Sequence, residues 1–220
     1  MKKTGHLGIK EYRSFIIPSG RKEPMKQDRL QQQISFIVEI DKMKDILRRT
    51  NLINDKRKEN DAEHSWHIAI MAALLFEYAD AEVDILKVIK MLLIHDLVEI
   101  YAGDTYAYDE EGYKYKAKRE ASAAKRIYSL LPENQALELR SLWEEFEEHK
   151  SPESRFAAAL DVLQPLLLNY ETEGLSWKHH SVRSPMVRKR TRLIKDGSSS
   201  LWEFATNLIE DAVKRGYLAE

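Results

Sequence analysis

Cysteine is absent from all 220 residues, and that gap excludes disulfides, thiolate metal sites and a cysteine nucleophile together. It also fits a reducing compartment. An excess of charge is lacking too. Lys and Arg total 35 against 36 Asp and Glu, and the formal net charge of −1 gives no general affinity for nucleic acid. No run approaches the ~18 apolar residues of a membrane span. The opening stretch "MKKTGHLGIKEYRSFIIPSGRKEP" has two lysines but no continuous apolar segment, which reads against a signal peptide. The expected location is the cytoplasm. Alternating strand patterns of useful length and internal repeats are missing as well. What remains, 43% hydrophobic and 32% charged, is enough for one globular domain with a full core.

Residues 1–27 mix Gly, Pro and charge without a period and read as an extension of unassigned role, which leaves 28–220 as a single domain. Helical spacing of apolar residues begins there. Ile34, Ile37, Ile40, Met43, Ile46 and Leu47 predict a helix from about Gln27 to Arg49. Asp61 is placed to cap a helix through about Tyr78, and another spans about Val83 to Tyr101, stopped by Gly103. Further helices are expected over 115–131, 134–149 and about Pro152 to Glu173, the last kinked by Pro165. Ser184 can cap the next, with Pro185 at its first position and Gly197 at its end, before a final helix from about Leu201 to Arg215. The fold class is all-α.

Residues 91–104, "MLLIHDLVEIYAGD", break this regularity. Between Met91 and Ile100 only His95, Asp96 and Glu99 are not apolar, yet unpaired buried charge costs several kcal/mol or more. Glu99 lies about one helical turn from both His95 and Asp96, so the three can approach one point. Two other apolar stretches carry the same anomaly. His64 lies in "AEHSWHIAIMAALL" and Asp161 in "FAAALDVLQPLLL". A lone buried His is ordinarily a satisfied core residue and a lone Asp is ordinarily salt-bridged. A set of four on successive helices is what a metal site in a helical bundle requires, with a divalent cation as the missing counter-charge.

The order His64, His95-Asp96, Asp161 resembles the signature of the HD-domain metal-dependent phosphohydrolases. The stretches "ENDAEHSW", "LLIHDLVEIYAGD" and "ALDVLQPLLLNYETEGLSW" resemble the branch with the bacterial 5′-deoxynucleotidases, over roughly residues 30–218. The resemblance implies a single HD-domain helical bundle, with His64, His95, Asp96 and Asp161 holding one divalent ion in its core. Two nitrogens and two oxygens leave positions open for water and a phosphate oxygen, and suit Mn²⁺, Co²⁺, Fe²⁺ or Mg²⁺. Glu99 and Asp104 match two acidic residues beside the metal, where they imply proton transfer or water positioning. For Asp104 a turn-forming role stands equally open. Arg49 aligns with a substrate-contacting Arg, which in those proteins precedes Trp and here precedes Thr50.

The implied activity is phosphomonoester hydrolysis on a small phosphorylated metabolite, foremost a deoxynucleoside 5′-monophosphate. Two alternatives stay open. One is a phosphodiesterase or pyrophosphohydrolase acting on a cyclic or polyphosphorylated nucleotide. The other is a metal- or nucleotide-binding regulatory module without turnover. A homodimer is implied by the resemblance, and neither nucleic acid nor membrane is an expected partner. Three further features carry bland readings. His67 lies one turn from His64, outside the motif. "VRKRTRL" (187–193) reads as a solvated helix face, and Tyr106, Tyr108, Tyr113 and Tyr115 read as ordinary loop packing.

Overall fold

The computed structural model describes residues 24–54 and 56–220, so the extension expected over 1–27 lies almost wholly outside the described residues. The chain runs through α1 (Pro24–Ile40), the strands β1 (Leu47–Asn51) and β2 (Lys58–Asn60), α2 (Asp61–Leu75), α3 (Ile85–Ile94) and α4 (Glu99–Ala102). It continues with α5 (Glu110–Tyr128), α6 (Glu133–Glu148), α7 (Pro152–Glu171), α8 (Leu175–His179), α9 (Ser184–Gly197) and α10 (Ser199–Lys214). No helix is long and apolar enough to cross a membrane among the described residues.

Residues 156–163 are apolar on nearly every side, and such a helix is stable only in a protein's interior. Accordingly α7 runs through the centre, with Phe156, Leu160 and Leu163 fully buried and α2, α3, α6, α9 and α10 packed around it. Ser151 caps its start and Pro152 occupies the first turn. Pro165 sits inside the helix without breaking it. Having no N–H, it leaves the carbonyl of Asp161, four residues earlier, without its helical donor.

A second apolar cluster gathers Phe36, Met43, Ile127, Tyr128 and Trp143. Residues 91–98 join the two clusters. Met91 and Leu92 pack with α7, while Ile94, Leu97 and Val98 pack in the second cluster. His95 and Asp96 therefore lie on the seam.

Several boundaries depart from the sequence expectation. The helix expected from Gln27 to Arg49 ends at Ile40. A 3-10 segment (Asp41–Asp45) follows, and then a short antiparallel hairpin in which Leu47 pairs with Asn60 and Asn51 with Lys58. Its strands read LRRTN and KEN, too polar and too short to show alternation. Asn60, not Asp61, caps α2. Its Oδ1 accepts from Glu63 N at 2.9 Å, while Glu63 Oε2 accepts from Asn60 N at 3.2 Å. The expected helix from Val83 to Tyr101 is α3, a 3-10 turn over His95–Val98, and α4. Arg183 rather than Ser184 is the residue before α9, and α8 was not foreseen. Helix α5 starts at Glu110, so Tyr113 and Tyr115 are helical rather than in a loop.

Candidate metal centre

His64 enters from the first turns of α2, His95 and Asp96 from the 3-10 turn after α3, and Asp161 from mid-α7. The four residues come together in the interior. His64 Nε2 lies 3.0 Å from Asp161 Oδ1, and His95 Nε2 lies 3.6 Å from the same oxygen and 3.2 Å from Asp96 Oδ2. The His95 ring also packs edge-on against Phe146, with centroids 4.9 Å apart.

Neighbouring hydrogen bonds fix where the imidazole protons sit. The Leu92 carbonyl can only accept, so His95 Nδ1, 3.0 Å away, carries the proton. Gln164 Nε2 donates to Glu59 Oε1 at 2.6 Å, which turns its Oε1 toward His64 Nδ1 at 3.0 Å. His64 Nδ1 is then a donor as well. Both Nε2 atoms are left as bare lone pairs pointing at carboxylate oxygens, and the buried His95 Nε2 has no hydrogen-bond partner. Lone pairs facing anions at such distances need positive charge between them. Two neutral imidazoles held by a backbone carbonyl and an amide, together with two carboxylates, form a donor set that fits a divalent ion.

The electrostatics show how strongly this corner attracts positive charge. Burial opposes charging His95, yet Asp96 and Asp161 raise it to about 10. Burial and Arg48 push His64 down to about 4. Burial alone would raise Asp96 and Asp161, but the imidazoles beside both, and Arg48 beside Asp96, hold them below the usual carboxylate range. Glu99 is displaced the other way. Burial and the charges of Asp96, Asp61 and Asp104 raise it well above its ordinary value. Burial likewise raises Asp104.

Gly103 ends α4 with φ 75° and ψ 147°, a conformation that L side chains rarely adopt. It turns the chain so that Asp104 faces the same cleft as His95, Asp96, Glu99 and Asp161. Six carboxylates and four cationic side chains line this cleft. The cleft is open to solvent on one side, and its free space, counting that at its mouth, is about 980 Å³.

Sequence reasoning missed three residues here. The first is Arg48. Neighbours along a strand face opposite ways, and β1 turns Arg48 and Thr50 inward while Leu47 and Arg49 are exposed. Arg48 Nη1 lies 2.9 Å from Asp96 Oδ2 and 3.3 Å from Asp61 Oδ1, and its Nε is 3.7 Å from Glu59 Oε2. Arg49 still lines the cleft at its rim.

The second is Asp61. It is fully buried, and its carboxylate lies within 4.8 Å of those of Asp96 and Glu99. The third is Gln164, which sits one turn after Asp161. A lone amide inside "DVLQPLLL" was its only signal. His67 touches the centre only through Gln164, 3.2 Å away. Of the four tyrosines, Tyr106, Tyr108 and Tyr113 line the cleft, whereas Tyr115 belongs to a separate surface groove.

Comparison with known proteins bears on this geometry. The HD-domain family matches residues 40–202. The chain is 34% identical over 125 residues to human and mouse proteins named 5′-deoxynucleotidase HDDC2, a match covering 57% of this chain. It spans 60% of the human relative and 61% of the mouse one. It is also similar to a crystal structure titled as a predicted metal-dependent phosphohydrolase from Magnetospirillum magnetotacticum MS-1. That similarity has 54% identity and a TM-score of 0.86, and it covers 90% of this chain and 99% of the other.

Proposed function

The chain belongs to the HD-domain family, and on that premise we propose that it is a metal-dependent phosphomonoesterase converting a deoxynucleoside 5′-monophosphate to deoxynucleoside and phosphate. The observation that carries the reading is the corner itself, where two proton-bearing Nδ1 atoms leave two bare Nε2 atoms facing Asp96 and Asp161. The names of the relatives supply the substrate class.

In this reading His64, His95, Asp96 and Asp161 hold the ion, whether Mn²⁺, Co²⁺, Fe²⁺ or Mg²⁺. A bound divalent ion would supply Lewis acidity and a coordinated water of lowered pKa. Glu99, buried beside Asp96, takes up the proton of the attacking water at its carboxylate. Asp104 orients that water or the substrate from the end of α4. Arg48 pairs with both Asp61 and Asp96; it helps hold Asp96 ionised, whereas burial and the charge of Asp96 still push Asp61 up to about 7. Arg49 at the rim contacts the substrate.

Residues 28–220 act as one domain in this proposal, the location is cytoplasmic, and the enzyme is a homodimer. An apolar stripe on α2 supports pairing, since Trp66, Ile70 and Leu74 recur every fourth residue with exposures of 62%, 46% and 68%. Light scattering of the purified protein decides the oligomeric state.

The test of the activity is phosphate release from every deoxy- and ribonucleoside 5′-monophosphate, by protein stripped of metal and reloaded with Mn²⁺, Co²⁺ or Mg²⁺. Release from deoxy substrates, abolished in Asp96→Ala, is the expected result. Release from none of them would sink the substrate assignment, and turnover of cyclic or polyphosphorylated nucleotides would replace it with the diesterase alternative.

A further inference from the structure

Four cationic side chains line the cleft, and they differ in what already neutralises them. Arg48 is tied to Asp61 and Asp96. Lys116, on α5, lies 3.0 Å from Glu120, and burial is outweighed there by the charges of Glu147 and Glu120. Arg49 is exposed at the rim. Arg190 is unlike all three.

It sits on α9 one turn after Val187 and beside Thr191, both buried, so the helix carries it over the edge of its apolar face into the cleft. The solvated face expected for residues 187–193 therefore does not extend to this residue. Its hydrogen-bond partner is neutral, since Nη1 donates to the Tyr113 hydroxyl at 3.3 Å. Among the described residues no carboxylate lies within ion-pair distance of it. The acid that acts on it most is Asp161, one of the four residues of the metal corner. The phenols of Tyr113 and Tyr108 also act on it.

A partly desolvated guanidinium without a counter-ion is costly unless an anion arrives to complete it. Arg also presents a planar fork that matches phosphate oxygens. A metal ion held by Asp161 would offset the acid that acts on Arg190 most. We propose that Arg190 binds the phosphoryl group of the substrate and that Tyr113 positions the guanidinium for it, an assignment that rests on the phosphatase reading above. Tyr113 suits that task because it is anchored in the first turn of α5, where its backbone N–H donates to the Asp109 carbonyl at 3.1 Å. Lys116 Nζ lies 5.8 Å from the centre of its ring and helps keep the ring in place.

The experiment uses the full-length, metal-loaded protein and inorganic phosphate as the probe, with potassium chloride at equal ionic strength as the control. The thermal midpoint is followed against phosphate concentration for wild type, Arg190→Gln, Arg190→Lys and Tyr113→Phe. Loss of a charge-assisted hydrogen-bonded contact predicts that Arg190→Gln weakens phosphate protection roughly 10- to 100-fold. Arg190→Lys should recover part of that loss, and Tyr113→Phe should weaken binding severalfold. All four proteins should bind metal equally. With nucleotide substrate, the Gln variant should raise both KM and the inhibition constant for phosphate.

Phosphate protection equal to wild type in Arg190→Gln, or no protection of wild type at all, overturns the assignment. If Arg190→Gln does not fold, the Lys and Phe variants decide by the same titration. Failure of wild type to hydrolyse any nucleotide would overturn the phosphatase reading instead, and the phosphate titration would still rule on Arg190.

Discussion

Gln164 is the residue on which the orientation of the centre turns. One amide accepts from His64 Nδ1 and donates to Glu59 and His67, so it fixes a tautomer and gives one oxygen of a buried carboxylate its donor. Partners of this kind alter metal affinity by about 10- to 100-fold when removed. Gln164→Leu is therefore expected to weaken divalent-metal binding by roughly that factor, read by calorimetric titration, with turnover partly restored at saturating metal. Unchanged affinity would show that His64 keeps its tautomer without the amide. The histidines and aspartates of the corner were legible in the sequence because ionisable groups in greasy helices stand out. Gln164 was not, because a single uncharged polar residue in a core helix has many bland explanations. Arg48 and Arg190 were hidden differently, since each lies in a charged stretch where only the backbone conformation decides which side chain turns inward.

At the scale of elements, the hairpin and the start of α2 set the geometry. Asn60 ends β2 and caps α2 at once, and the box it forms with Glu63 fixes the first turn, with His64 next as the fourth residue of the helix. Asn60→Ala is expected to destabilise the protein by about 1 kcal/mol, measured by urea unfolding, and to lower metal affinity as the first turn frays. A full loss of stability with no change in affinity would separate the cap from the centre. Long apolar periodic helices such as α7 were readable from spacing alone. The polar hairpin, the 3-10 turn at His95–Val98 and the five-residue α8 were not. Each is held by tertiary contacts rather than by a pattern of its own. The 3-10 turn sits where His95, Asp96 and Glu99 must converge, so local regularity gives way there to the needs of the site.

Across the whole molecule, the centre lies on the seam between two apolar clusters, and an ion bound there stabilises both sides of it. Binding to the folded state alone raises stability by about 2.7 kcal/mol at a metal concentration 100 times the dissociation constant. Removal of metal with a chelator should therefore lower the thermal midpoint, and readdition should restore it in step with metal concentration. Asp96→Ala should show neither response. A midpoint indifferent to chelation would mean that the corner holds no ion of consequence for stability. The sequence revealed the class of fold and the residues that would meet, but not the walls of the cleft, because these come from β1, α5, α6, α8 and α9. The same dispersal has a consequence for how the protein is made. Asp161 lies 97 residues beyond His64, and Gln164 lies 105 beyond Glu59. A ribosome will thus have released His64, His95 and Asp96 well before Asp161 and the tautomer-fixing amide emerge. On the ligand set proposed above, the nascent chain cannot present a complete coordination sphere until α7 is synthesised, so loading with the ion would be an event of the finished fold, decided by the metal pool that this fold meets.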